Sequence, residues 1–202
     1  MRADEHLILH GLAIKRHSNP DDVADLIGVE VDDVRSCLEA NVVTGRVLSL
    51  GDKYALAPGA RLILNGEYSR HYADARSDQS FLSAYERFER VNNDLKSVIT
   101  AWQVRTLPSG ESVTNDHSDA DYDEKVIDKI SDLHERFTPT LEQLSAAVNR
   151  LGLYGDKLEL ALDKAEHGEH RWISEVELPS YHSVWFDLHE DLLCILGRAR
   201  VE

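Results

Sequence analysis

Positive charge is scarce in this chain. Of its 202 residues, 22 are Lys or Arg against 37 Asp or Glu, a formal net charge of −15. A protein that holds nucleic acid without sequence preference draws its affinity from neutralised phosphates, so this balance excludes a general polycationic binder. Cysteine is nearly absent. Cys37 and Cys194 stand far apart, each inside an apolar helical pattern (SCLEANVV and DLLCILG). That excludes a disulfide framework and suits buried, reduced thiols in a cytoplasmic protein. Long apolar runs are missing as well. No segment approaches the ~20 residues that span a bilayer, and the first residues, MRADEHLILHGLAIKRH, carry no small-residue cleavage site of a secretory signal. The expectation is a soluble, cytoplasmic protein with no membrane partner. The chain also lacks GxSxG, P-loop, GxGxxG and kinase phrases, and it lacks HExxH and CxxC spacings. A non-enzyme with no cofactor and no metal is expected.

What is present is apolar material for real cores, 42% of the residues, and an uneven spread of acid. Residues 1–75 hold eight Lys+Arg against twelve Asp+Glu, whereas the remainder holds fourteen against twenty-five. Leu7, Ile8, Leu12 and Ile14 recur at helical spacing, so residues 5–17 form a first helix. Pro20 suits an early position of a second helix over 20–27, and Gly28 suits its left-handed end. A third helix runs over 31–41 with Val31, Val34 and Leu38 inward and Asp32, Asp33, Arg35, Ser36 and Glu39 outward. Arg46–Leu50 and Lys53–Ala57 read as two strands around the Gly51-Asp52 turn, and a helix begins at Ala60. Beyond it the apolar pattern is helical to about Arg105, with Gly66 and the stretch 74–80 as possible breaks. Residues 106–123 read as a polar loop. Helices are expected from Glu124 to Phe137, restarting at Thr138-Pro139 and running to Leu151, then, after a kink between Gly152 and Gly155, over Asp156–Glu166, and over Val184–Leu196, with an irregular stretch 167–180.

The order helix, helix, helix, two strands, helix, closing on Tyr54-Ala55-Leu56-Ala57-Pro58-Gly59-Ala60-Arg61, resembles winged helix-turn-helix regulators of the MarR and PadR type. The resemblance covers the first third of the chain. It implies base contacts from Arg35 and Ser36 and phosphate contacts from Arg46, Lys53 and Arg61 to double-stranded DNA, read by a homodimer. The third helix departs from that pattern, because it carries Asp32, Asp33 and Glu39 against one base. Two of those acids sit near the helix N-terminus, where carboxylates suit the dipole, yet they still repel phosphate. The fold class expected is therefore mainly α: a winged helix-turn-helix with a two-stranded wing over residues 1–64, and an all-helical bundle over 65–202 for dimerisation or effector sensing.

In the second part, polar and aromatic residues collect in four phrases: Trp102-Gln103-Val104-Arg105, Asn115-Asp116-His117, Asp121-Tyr122-Asp123 and residues 181–191. The last three also resemble segments of bacterial proteins labelled MarR-like regulators. Apolar walls with a few fixed polar groups make a ligand pocket, so Trp102, Arg105, Asn115, Asp116, His117, Tyr122, His182, Trp185 and His189 are the candidate ligand contacts for a small-molecule effector. The plainer reading stands beside it. Trp185, Phe186 and Trp102 suit a core, Arg105 suits a helix C-terminus, His167 and His170 a solvated loop, and Glu190-Asp191 an exposed face. His182 and His189 share a helical face, but nothing else in the spacing points to metal. Two other functions stand beside that of a regulator, the first of them favoured by the acidic balance and the acidic third helix. One is an accessory or regulatory subunit of a larger enzyme assembly, of a phosphotransferase type, with the winged helix docking protein. The other is a small-molecule binder with a vestigial winged helix.

Overall fold

The computed structural model describes residues 4–107 and 109–199. The chain is mainly helical and divides into two compact units, Met1–Ser77 with Asp187–Glu202, and Asp78–Phe186. The boundary expected at 64/65 falls inside a helix, Pro58–His71.

The first unit begins with α1 (Glu5–Lys15), whose N-terminal Asp4 accepts from the His6 amide. This capping satisfies an amide that the helix itself leaves unpaired. Every residue of α1 from Ile8 to Ile14 is buried, so the helix is enclosed rather than amphipathic. Gly11 permits the close approach of its neighbour, because a Cβ there would meet Ile27 Cγ2 at 2.8 Å. Arg16 ends α1 at φ 64°, a backbone a non-glycine residue rarely adopts, and this sharp exit feeds β1 (His17–Ser18). α2 (Pro20–Ile27) is capped by Asn19, with Gly28 left-handed at its end, as the sequence indicates. α3 (Val31–Val43) buries Val34, Leu38 and Asn41. β2 (Val47–Leu50) and β3 (Lys53–Leu56) form the expected hairpin. β1 adds a third strand, His17 pairing antiparallel with Ala55, so the sheet order is β1-β3-β2.

The helical pattern after the strands, expected to break at Gly66 or within 74–80, is three helices: α4 (Pro58–His71), α5 (Ala73–Ser77) and α6 (Gln79–Gln103), with one break inside 74–80. The breaks fall at Tyr72 and at Asp78, which caps α6 through the Ser80 amide. Gly66 lies inside α4 without breaking it. The late part of α10 (Tyr181–Leu196) completes the first unit. There Lys15 Nζ meets Asp187 at 2.6 Å, and Arg76 donates to the Ile195 carbonyl.

This part of α10 corrects the reading of Glu190-Asp191 as an exposed face. Asp191 is fully buried, accepting from His10 Nε2 at 3.0 Å, while His10 Nδ1 lies 2.9 Å from the Tyr68 hydroxyl. The cysteines are corrected too, since both are half-buried rather than sealed in the core. Partial burial and nearby acids still push both thiols up, Cys194 to about 11, so neither is a thiolate near neutral pH.

In the second unit α6 is followed by β4 (Val104–Thr106) and β5 (Ser112–Thr114), an antiparallel hairpin where a loop was expected. α7 (Ala120–Ala147) starts earlier than the apolar pattern suggests, capped by Asp119, and runs unbroken through Pro139. Proline lacks one amide, but the carbonyl it leaves belongs to exposed Glu135, where water can replace the bond. A 3-10 turn (Asn149–Gly152) leads to α8 (Leu153–Glu166), then the short α9 (Arg171–Ser174) and the start of α10. The core holds Phe88, Phe137, Tyr181 and Trp185, with Trp185 4.5 Å from the Phe137 ring and 5.2 Å from Phe88.

His134 of α7 lies 3.3 Å from the Tyr181 hydroxyl, and burial lowers its pKa below 6.5 although Glu159, Glu166 and Glu135 act to raise it. Burial likewise lowers His6. An unfolded histidine takes up a proton near 6.5 while these two resist, so stability falls as the pH drops below about 6.5 and levels off beneath the folded values. Exposed His167, raised by Asp163, acts weakly the other way. Urea midpoints at about pH 7.5 and about pH 5.5 should show the acid loss, and His134→Gln should reduce it. An equal loss in that variant would remove His134 from the account.

Candidate functional site

Around the β4–β5 hairpin, five of the candidate ligand residues converge. Asn115 is the organiser. Its side-chain amide nitrogen donates to the Trp102 carbonyl at 3.0 Å and to Asp123 Oδ1 at 2.8 Å, and its carbonyl accepts from the His117 amide. The Asp123 carboxylate, 1% exposed, also takes His117 Nδ1 at 2.9 Å. A carboxylate only accepts, so the His117 proton sits on Nδ1 and the bare nitrogen is Nε2. Both Asn115 amide protons are already engaged, which leaves its 3.1 Å approach to Nδ1 a contact without a proton to share.

His117 is exposed and stands at φ 57°, a left-handed backbone for a non-glycine residue. Such a conformation is held by its surroundings, here the Asn115 and Asp123 bonds. The ring lies 4.4 Å from that of Trp102, which His170 meets edge-on at 5.6 Å. On the other side of the hairpin, Arg105 pairs with Asp119 at 2.7 Å and covers the Tyr122 ring at 4.7 Å, while the Tyr122 hydroxyl donates to the Ala101 carbonyl. The result is a surface imidazole whose Nδ1 is engaged from below and whose ring lies against the Trp102 indole, itself buried at 3% exposure. It can accept a hydrogen bond or proton from a small polar molecule.

The other candidates lie apart. Asp116 turns into its own loop, accepting from the Ser118 hydroxyl and amide, which lower its pKa. Trp185 belongs to the core, its indole donating to Asn92 Oδ1 at 3.1 Å. His182 is half-buried in the first turn of α10, and buried His189 lies in the stretch of α10 that belongs to the first unit. Two grooves of the second unit run elsewhere, between α6 and α7, and share Asp94 and Arg136.

In the first unit, Arg35 and Ser36 are exposed on α3 and Lys53 is exposed at the start of β3. Arg35 lies 3.2 Å from Asp32 on its own helix. The remaining candidate bases are engaged by the fold: Arg46 donates to Glu5 at 2.6 Å, and Arg61 donates to the Ala13 carbonyl at 2.8 Å. Val43, Leu48 and Leu50 are exposed apolar side chains of α3 and β2. Sequence reasoning passed over His6, His10, Glu67 and His71, because their grouping joins α1 to α4 across some sixty residues of chain. Compared with protein-family models, curated proteins and solved structures, the chain gives no match.

Proposed function

We propose that the first unit is a winged-helix module and that the chain is a DNA-binding regulator acting as a homodimer, with the second unit sensing a small-molecule effector. The observation that carries this reading is the strand between α1 and α2. A winged helix needs its first strand there, and β1 pairs with β3 to give the order β1-β3-β2. The sequence pattern had supplied only two of the three strands. In such a module α3 enters the major groove and the β2–β3 turn lies along the backbone. Arg35 and Ser36 are then the base-facing residues and Lys53 a phosphate contact. The exposed His117 edge, backed by the buried Trp102, is the effector site.

The test is a selection of binding sites from genomic fragments with the purified protein, followed by salt titration on the best site. A palindromic site and a steep loss of affinity with salt are expected. Lys53→Ala should flatten the logarithmic salt slope by about one, and Arg35→Ala with Lys53→Ala should cost at least about tenfold. An unchanged slope and affinity would remove these residues from the interface. His117→Ala, a change at an exposed residue, should abolish the effector response while DNA binding survives.

One observation favours a second reading, docking to protein. Val43 is 88% exposed and Leu48 and Leu50 about half exposed beside an acidic α3. A face of that kind suits a partner protein better than phosphate. No enriched DNA site at low salt, together with a stoichiometric partner enzyme, would select it.

A further inference from the structure

The geometry points to a binding site for a divalent transition-metal ion in the first unit, formed by His6 of α1 and by Glu67 and His71 of α4. One ligand atom from each lies within 4.8 Å of the others. Glu67 and His71 are four residues apart in α4, a spacing that puts both on one helix face. His6 reaches them from α1, its Nδ1 3.3 Å from Glu67 Oε2 and its ring stacked on His71 at 3.6 Å.

A second observation is independent of this grouping. His6 is 9% exposed, and its Nε2 is buried without a hydrogen-bond partner. With no partner at Nε2, nothing in the fold fixes which ring nitrogen carries the proton, so Nδ1 can turn its lone pair toward an ion. Nδ1 is the nitrogen that faces Glu67, so it is the ligand atom, the ion taking the place of that hydrogen bond with the ring proton on Nε2. Burial and the neighbouring His71 also favour the neutral imidazole, which is the form that ligates.

Two imidazoles and one carboxylate make the donor set of open zinc sites, in which a fourth position stays with solvent. Bonds of about 2.0–2.2 Å in tetrahedral array set donors roughly 3.4 Å apart, so the cluster must contract and the stacked rings must turn out of parallel. His71 is exposed and free of the core, and it is the ring that turns. Tyr68, edge-on to His6 at 5.5 Å, sits behind the site. The donors are nitrogen-rich, which selects Zn2+ and its first-row neighbours over Mg2+ and Ca2+. The site does not depend on the DNA-binding reading.

The experiment is calorimetric titration of the untagged full chain with Zn2+, and its Co2+ spectrum. Wild type should bind one Zn2+ per chain at this site. His71→Ala, chosen because His71 is exposed, and Glu67→Gln should each weaken that binding at least tenfold with unchanged circular dichroism. The joint variant His167→Ala with His170→Ala should match wild type. Cobalt should give the visible bands of a nitrogen-ligated tetrahedral site, lost in His71→Ala. No bound Zn2+, or binding by His71→Ala as tight as wild type, would overturn the inference. Loss of binding in the His167/His170 variant would place the metal elsewhere and overturn it equally.

Discussion

Asp191→Ala should cost the first unit about 3–5 kcal/mol, the range for a buried ion pair that loses one partner. Asp191 and His10 are both fully buried, 3.0 Å apart, and the opposite edge of the His10 ring meets the Tyr68 hydroxyl. Tyr68 also bonds the Cys194 thiol, and burial holds its own hydroxyl far above the usual phenol range. Removing the carboxylate takes away the acceptor that the buried His10 Nε2–H uses. The chain behind it is then short of a member, and a partly satisfied network is worse than none. Asp191→Asn keeps an acceptor and should lose less. His10→Leu with Asp191→Leu removes both polar groups, and it should recover much of the loss, since apolar replacement of both partners is often neutral. Urea unfolding followed by circular dichroism measures all three. A loss below about 1 kcal/mol for Asp191→Ala, the scale of an exposed pair, would mean that water reaches the site.

Trp185→Ala should cost the second unit about 3–5 kcal/mol, as large-to-small changes of buried aromatics do. The indole is sandwiched among Phe88, Phe137 and Tyr181 and donates to buried Asn92. Trp185→Phe keeps most of the packing and leaves the Asn92 carbonyl oxygen unpaired, a loss of about 1–3 kcal/mol. Asn92→Leu reaches the same indole from the other side by orphaning its N–H. These variants also separate two roles for Trp185. A ligand wall would lose the effector response with stability intact, whereas the packing described here puts the whole effect on stability. Thermal unfolding of Trp185→Ala at an unchanged midpoint would reverse the assignment.

The first unit was more legible than the second, for physical reasons. Its helices carry strong local punctuation: Asn19-Pro20 at one start, Gly28 at one end, Gly51-Asp52 between two alternating runs. Such residues act through backbone conformation alone, so they speak without tertiary context. β1 was silent because two residues are too few to show alternation, and its pairing with Ala55 is long-range. The β4–β5 hairpin was silent for a related reason. Its strands of three residues are built of exposed and half-buried side chains, so composition reads as loop. Pro139 gave the opposite error, a strong local signal overruled by the packing of Phe137, Thr140, Leu141 and Leu144 on one buried face.

The candidate site divides along the same line. Asn115, His117 and Asp123 are close in sequence, and the hairpin needs only to fold back for Trp102 to join them. Trp185 and His189 were grouped with them by residue type. Type alone does not distinguish an aromatic that faces a ligand from one that faces Phe88 and Phe137. His6, Glu67 and His71 had no local signal at all, since a single histidine at each place is unremarkable until α1 and α4 come together.

α10 has one further consequence, for synthesis. Its early residues belong to the second unit and its later ones, from Asp187, to the first. Residues 4–77 therefore leave the ribosome without Asp191, and His10 waits for its carboxylate until more than a hundred further residues have been made. The second unit waits for the same helix, since its core needs Tyr181 and Trp185, so both units close on one late segment. A fragment ending at residue 77 would reproduce this waiting state, with the His10 pocket open to water. The last helix is thus the closing step of the first domain, and a ribosome stalled before Asp187 would hold that domain unfinished.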